Sequence, residues 1–111
     1  MEQGPAQRRE RVVTVLNALG DATRMQIVDR VLREGEVACS SLDTSLGFAK
    51  STISYHAKIL HAAGLIAVRR DGRFFHYSPT PALRELEPIL ETLGRAELAE
   101  RSEDGNEEPA G

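Results

Sequence analysis

Residues 50–60 read KSTISYHAKIL, which places three hydroxyls, a phenol, an imidazole and two ammonium groups in one short stretch. Ser and Thr are indifferent helix formers, because their side chains compete for backbone hydrogen bonds. Their presence on a helix therefore asks for a reason beyond propensity. Projected at about 100° per residue, Ile53, Ala57 and Leu60 fall within a narrow apolar arc that Gly64 continues. Ser51, Ser54, Tyr55 and Lys58 fall on the opposite side. His56 lies about 60° from the apolar arc, where packing at its margin and phosphate contact fit equally well. No Asp or Glu occurs from Lys50 to Leu65. A merely solvated face usually mixes both signs, since Glu–Lys pairs support helices. A helix meant for the major groove must keep carboxylates away from phosphates, and short donors near base edges help it. DNA contact is the better reading of this face.

A second basic cluster follows. The runs LIAVRR and RFFHYS flank Asp71-Gly72, a dipeptide that between two extended runs signals a type I′ hairpin turn. Arg69, Arg70 and Arg73 gather around its tip. They could be a solvated edge that discourages strand-to-strand aggregation. Their clustering favours phosphate or minor-groove contact.

The elements that must hold these residues can be read from apolar spacing. Val12, Leu16 and Leu19 recur at i, i+4 and i+7, so a first helix is expected over Arg8–Leu19, ended by Gly20. Asp21 then reads as the N-cap of a second helix carrying Met25, Val28 and Leu32 on one face and ending at Gly35. A short third helix spans Ser40–Leu46, GFAK is a tight turn, and a fourth helix runs from Ser51 to Ala63. After the hairpin, Thr80 and Pro81 form an N-cap and first-turn pair. Leu83, Leu86, Leu90 and Leu93 follow as a short coiled-coil-like seam. Pro88 removes a hydrogen bond to the Arg84 carbonyl and predicts a kink or two shorter helices. The fold class is mainly α with a small β-hairpin: a winged helix-turn-helix in the order α-α-α-α-β-β-α.

Length and charge agree with that reading. A chain of 111 residues fits one domain, or half of a symmetric dimer. The net charge of −3 hides an asymmetry. Residues 1–80 carry eleven basic and eight acidic residues, whereas residues 81–111 carry three and nine. Local sign governs phosphate contact, and residues 47–80 hold five cations against the single acid Asp71. The expected organisation is a flexible N-terminus over 1–7, a DNA-binding and dimerisation domain over 8–101, and an acidic disordered tail over 102–111. No apolar run approaches the roughly 20 residues that span a bilayer, and no signal peptide is evident, so the chain is expected in the cytoplasm.

Several separated signatures stand in register across residues 12–80. They are LNALGDATRMQIVDRVL, the Ser-Thr-Ile-Ser-Tyr-His run, the Ala-Gly-Leu-Ile exit and the arginine-rich hairpin. Together they resemble the ArsR-type bacterial transcriptional regulators. The resemblance implies a homodimer whose first and last helices form the interface. It also implies a double-stranded DNA operator that is repressed until an inducer, of unknown identity here, releases the protein. Many members of that family sense metals through Glu-Leu-Cys-Val-Cys-Asp-Leu on the third helix. This chain reads Glu36-Val37-Ala38-Cys39-Ser40-Ser41-Leu42, so Ala38 and Ser40 stand at the two cysteine positions. One thiolate cannot close a soft-metal site of three or four ligands. No His follows His76 either, which removes the Asp/His zinc site of other members. Neither a metal nor a cofactor is expected, and Cys39 reads as a small semi-buried residue.

The expected function is a sequence-specific, dimeric DNA-binding repressor that recognises an inverted-repeat operator through helix 51–63 and the wing over 65–78. Its DNA-binding residues would be Lys50, Ser51, Thr52, Ser54, Tyr55, His56, Lys58, Arg69, Arg70 and Arg73. Val12, Leu16, Leu19, Leu86, Leu90 and Leu93 would supply the dimer interface. A winged-helix protein-interaction module without DNA binding is the alternative, since fold alone does not decide function. Such a face should be more aromatic or aliphatic. An enzyme is not expected: the dispersed Ser and His residues form no catalytic arrangement, and there is no Gly-rich phosphate loop.

Overall fold

The computed structural model describes residues 4–104, with 96–104 described by backbone alone. The first helix, α1 (Pro5–Leu19), starts three residues before the expected Arg8. Pro5 occupies its first position, where a missing N–H costs nothing, and Gln7 Oε1 accepts from the Gly4 N–H at 2.7 Å. Residues 5–7, expected to be flexible, are therefore helical. α2 (Ala22–Glu34) begins where Asp21 Oδ2 accepts from the Arg24 N–H at 3.1 Å, the expected cap. Its buried stripe is Ile27, Val28 and Val31, with Met25 and Leu32 half-buried at the margin.

A strand absent from the sequence reading follows, β1 (Val37–Ala38). It pairs antiparallel with the wing, Val37 opposite Tyr77 and Ala38 opposite His76, so the sheet has three strands in the order β1-β3-β2. α3 (Cys39–Leu46) then ends at Gly47, whose φ of 77° stops the helix in the left-handed region. α4 (Lys50–Ala62) starts one residue before the expected Ser51 and buries Ile53, Ala57 and Leu60, the apolar arc read from its spacing. Arg30 holds α2 to α3, its Nη2 donating to Ser41 Oγ at 3.2 Å while Nε pairs with Glu34 at 2.7 Å.

The wing is β2 (Ile66–Asp71) and β3 (Phe74–Pro79). Asp71 pairs with Phe74, so the two turn residues are Gly72 and Arg73 rather than Asp71 and Gly72. Only Gly72 of these has positive φ, 66°. A type I′ turn needs two such residues, whereas positive φ at the first central position alone is the type II′ pattern. α5 (Pro81–Asp104) is capped by Thr80, whose Oγ1 accepts from the Leu83 N–H at 3.3 Å and donates to the Gly64 carbonyl at 2.7 Å. The helix stays a single element through Pro88 and continues to Asp104. It thus includes 102–104, which the sequence reading gave to a disordered tail; residues 105–111 lie outside the described region. At Pro88 the turn is exposed, so water can satisfy the carbonyl left without a donor. Among the described residues, no helix is long and apolar enough to cross a membrane.

The core sits where α2, α3, α4, the sheet and the start of α5 meet. Ile27, Leu42, Ile53, Leu60, Leu65, Ile66 and Leu83 are fully buried there. This packing is what fixes α4 and the wing relative to each other.

Candidate nucleic-acid interface

Burying Ile53, Ala57 and Leu60 leaves the other side of α4 to solvent. Lys50 and Ser51 are exposed on its first turn, Tyr55 is 60% exposed, and Lys58 is exposed one turn further on. Ser54 is half-buried because it faces the wing. Lys50, Ser51 and Ser54 share a cleft of about 260 Å3 with Ser40, Arg73 and Phe74. Ser54 and Lys58 line a second cleft, of about 230 Å3, with Val68, Phe75 and Tyr77. The helix face and the hairpin thus form one continuous concave surface that carries Lys50, Lys58 and Arg73. Thr52 lies on the flank of α4, half-buried.

His56 is turned the other way. Its side chain is 14% exposed, and Nδ1 stands 3.1 Å from Arg24 Nη1 and 3.9 Å from Asp21 Oδ2. Tyr55 meets it edge-on at 5.1 Å between ring centroids. This geometry packs His56 at the margin of the apolar arc, one of the two readings the sequence allowed. The carboxyl of Asp21 is held below the ordinary carboxylate range, first by the Arg24 N–H it caps and then by the charges of Arg24 and His56.

The wing arginines differ from one another. Arg69 grips Glu36 through Nε and Nη2, both at 3.0 Å. That contact lowers the Glu36 carboxyl and raises the Arg69 guanidinium. Arg70 lies 5.5 Å over the Phe75 ring and donates from Nε to the Gly72 carbonyl at 2.9 Å, so its head is held at the turn. Arg73 is in the turn itself and exposed. The wing also exposes Phe74 (54%) and Phe75, which the sequence reading did not single out. Period-two alternation in RFFHYS assigns one of these to each sheet face, so the signal was present.

Cys39 is buried at the start of α3 beside Tyr77. Burial, followed by the thiol's hydrogen bond, pushes the Tyr77 phenol well above its usual value. On α1 and α5, Val12, Leu16 (61%) and Leu93 (62%) are exposed, as are Val13 and Ile89. Leu19 is 9% exposed and belongs to the protomer's own core, and Leu86 and Leu90 pack partly against it. Of the six residues expected at a dimer interface, Leu19 is therefore already covered.

This architecture has relatives. A family model described as a helix-turn-helix domain matches residues 19–69. The arsenical resistance operon repressor of Staphylococcus aureus is 32% identical over 80 residues, covering 72% of this chain and 74% of that one. The transcriptional repressor SdpR of Bacillus subtilis is 34% identical over 64 residues, covering 58% and 70%. Another relative, from Halobacterium salinarum, is matched over 65% of its own length. Among solved structures, the homodimeric winged helix-turn-helix DNA-binding domain of a Mycobacterium bovis protein is 25% identical. It superposes with a TM-score of 0.78 over 88% of this chain and 91% of that one. With fold, hairpin wing and sequence all in agreement, the chain belongs to the ArsR-type winged helix-turn-helix family of DNA-binding transcriptional regulators.

Proposed function

We propose that the chain is a dimeric, cytoplasmic repressor that places α4 in the major groove of an inverted-repeat operator. The observation that carries this reading is the acid-free outer face of α4 joined to the wing in one concave surface. Ser51, Ser54 and Tyr55 present short or planar donors to base edges, while Lys50, Lys58, Arg70 and Arg73 meet phosphates. Thr52 and His56 act from behind that face and support the helix. Arg69 contributes to the field of the wing, offset by its partner Glu36.

The exposed stripe of Val12, Val13 and Leu16 on α1, with Ile89 and Leu93 on α5, supports pairing across a twofold axis. The named homodimeric and repressor relatives support the same assembly and sense of regulation. Two helices related by that axis suit half-sites about one helical turn apart, roughly 10–10.5 bp, or a multiple of it. An inducer would have to act without a paired thiol site, since Ala38 and Ser40 flank the buried Cys39.

Selecting fragments of the host's genomic DNA on the purified chain tests the proposal. Enrichment of inverted repeats in promoter regions is the expected result. Recovery with no shared sequence would favour the protein-interaction alternative.

A further inference from the structure

Two arginines reach α4 from the side that faces away from the proposed DNA surface. Arg24 donates from Nε to the Ala18 carbonyl at 2.7 Å and from Nη2 to the Asn17 carbonyl at 3.4 Å. Both carbonyls belong to the last turn of α1, where Asn17 O also accepts from the Gly20 N–H at 3.3 Å and the helix dipole favours a cation. The remaining arm, Nη1, meets His56 Nδ1 at 3.1 Å. One guanidinium thus ties the end of α1 to the middle of α4. The second contact lies eight residues further along, about 12 Å at helical rise. There Gly64 has φ of +77°, and a Cβ added to it would lie 2.9 Å from Arg11 Nη2. The Arg11 side chain therefore rests on the backbone just beyond α4.

Arg is a donor only. Its contact with Nδ1 is a hydrogen bond only while that nitrogen keeps its lone pair, with the ring neutral and protonated on Nε2. We infer that Arg24 and Arg11 bracket α4 against α1, and that His56 is the point at which the bracket opens when its ring is protonated. The groups facing the ring are Arg24 and Asp21 of α2 and its cap, Tyr55 of α4, and the α1 carbonyls held through Arg24. A protonated Nδ1 would point a charged N–H at a guanidinium. The available partner is then Asp21 Oδ2, 3.9 Å away. Because α1 also carries the apolar stripe Val12, Val13 and Leu16, the bracket makes α1 the reference against which the two α4 helices of a dimer are spaced. His56 and Arg24 are positioning residues in this scheme. The inference rests on the DNA-binding reading above.

Operator fragments recovered by selection, and a random-sequence duplex, can be titrated with wild type, His56→Asn and His56→Leu at about pH 8 and about pH 6, which brackets ordinary histidine titration. Asn keeps an acceptor near the position of Nδ1 and cannot take up a proton. At both pH values it should hold the operator affinity that wild type has at about pH 8. Wild type should weaken about tenfold more than His56→Asn on acidification, and His56→Leu should be about tenfold weaker at both, the size expected for losing a hydrogen bond to a charged group. His61 and His76 are unchanged in all three proteins, so any effect of theirs is common to all. The inference is overturned if His56→Leu binds like wild type at about pH 8, or if wild type and His56→Asn weaken equally in acid. Should His56→Leu fail to fold, the comparison of wild type with His56→Asn decides alone. Should wild type bind no duplex, the DNA reading fails, and amide exchange along Lys50–Ala62 decides the bracket without DNA. Protection lost in acid by wild type but kept by His56→Asn supports it, and equal loss overturns it.

Discussion

Arg69 and Glu36 stand 33 residues apart in sequence and share two hydrogen bonds of 3.0 Å, Nε to Oε2 and Nη2 to Oε1. Because β3 lies between β1 and β2, the arginine reaches across it, past His76, to the residue that precedes β1. The pair braces the wing and at the same time cancels one of its positive charges. Glu36→Gln removes that cancellation while leaving an amide for Arg69 to bond. Binding to every duplex should tighten, and the slope of log affinity against log salt should steepen by about one phosphate contact. Titrations at several salt concentrations measure this directly. An unchanged slope would place Arg69 outside the field felt by DNA.

Tyr55 and the wing arginines should separate specificity from general attraction. Tyr55→Ala is expected to cost about 1–3 kcal/mol on the operator and to spare a random duplex, because it removes a base-edge contact. Arg70→Ala should weaken all sequences alike and lower the salt slope by about one. Phe75→Ala is a useful companion, since it removes the ring that holds Arg70 in place. It should move random and operator duplexes together, and by less than Arg70→Ala does.

The Asp21 cap makes stability pH-dependent in a stated direction. Its carboxyl is lowered from an ordinary value of 3.8 by the Arg24 N–H, and secondarily by the charges of Arg24 and His56. The folded state therefore binds this proton less readily than the unfolded chain does. The stabilisation is present in full above about pH 4 and is lost as pH falls through the depressed value. Glu36, lowered by Arg69, adds to the same acid limb. Asp21→Asn keeps a cap acceptor but no titration, so its urea midpoint should fall less steeply than that of wild type below pH 4. Parallel curves for the two proteins would deny Asp21 that role.

Residues that act within one element were legible before any coordinates. The arc of Ile53, Ala57 and Leu60 and the caps at Asp21 and Thr80 follow from spacing and side-chain chemistry within a turn or two. What escaped involves partners far apart in sequence. β1 is two residues long and too short to show any period, and it exists because Val37 and Ala38 meet Tyr77 and His76. The hairpin turn shifted by one residue because the pairing of Asp71 with Phe74 outweighed the local Asp-Gly preference. His56 could not be assigned a side until Arg24, 32 residues earlier, was seen to hold it. Pairings of this kind leave no trace in periodicity, which reports only how each element divides its own faces.

The first-helix leucines make the sharpest test of assembly, because three turns of one apolar stripe have two fates. Leu19 is 9% exposed within the protomer's core, whereas Leu16, one turn earlier, is 61% exposed with Val12 and Val13 beside it. Leu19→Ala should therefore act on folding, lowering stability by about 2–5 kcal/mol in urea titration. Leu16→Glu should act on assembly. A carboxylate on a surface residue leaves the core intact, but two of them across a twofold axis would be desolvated and set against each other. At micromolar concentration wild type should sediment at twice the 12.2 kDa chain mass, and Leu16→Glu at the chain mass with an unchanged circular dichroism spectrum. Operator affinity should fall with the dimer, because one half-site alone forfeits the second helix. If Leu16→Glu remains a dimer, the α1 stripe is not the interface, and the exposed α5 residues Ile89 and Leu93 become the surface to substitute next.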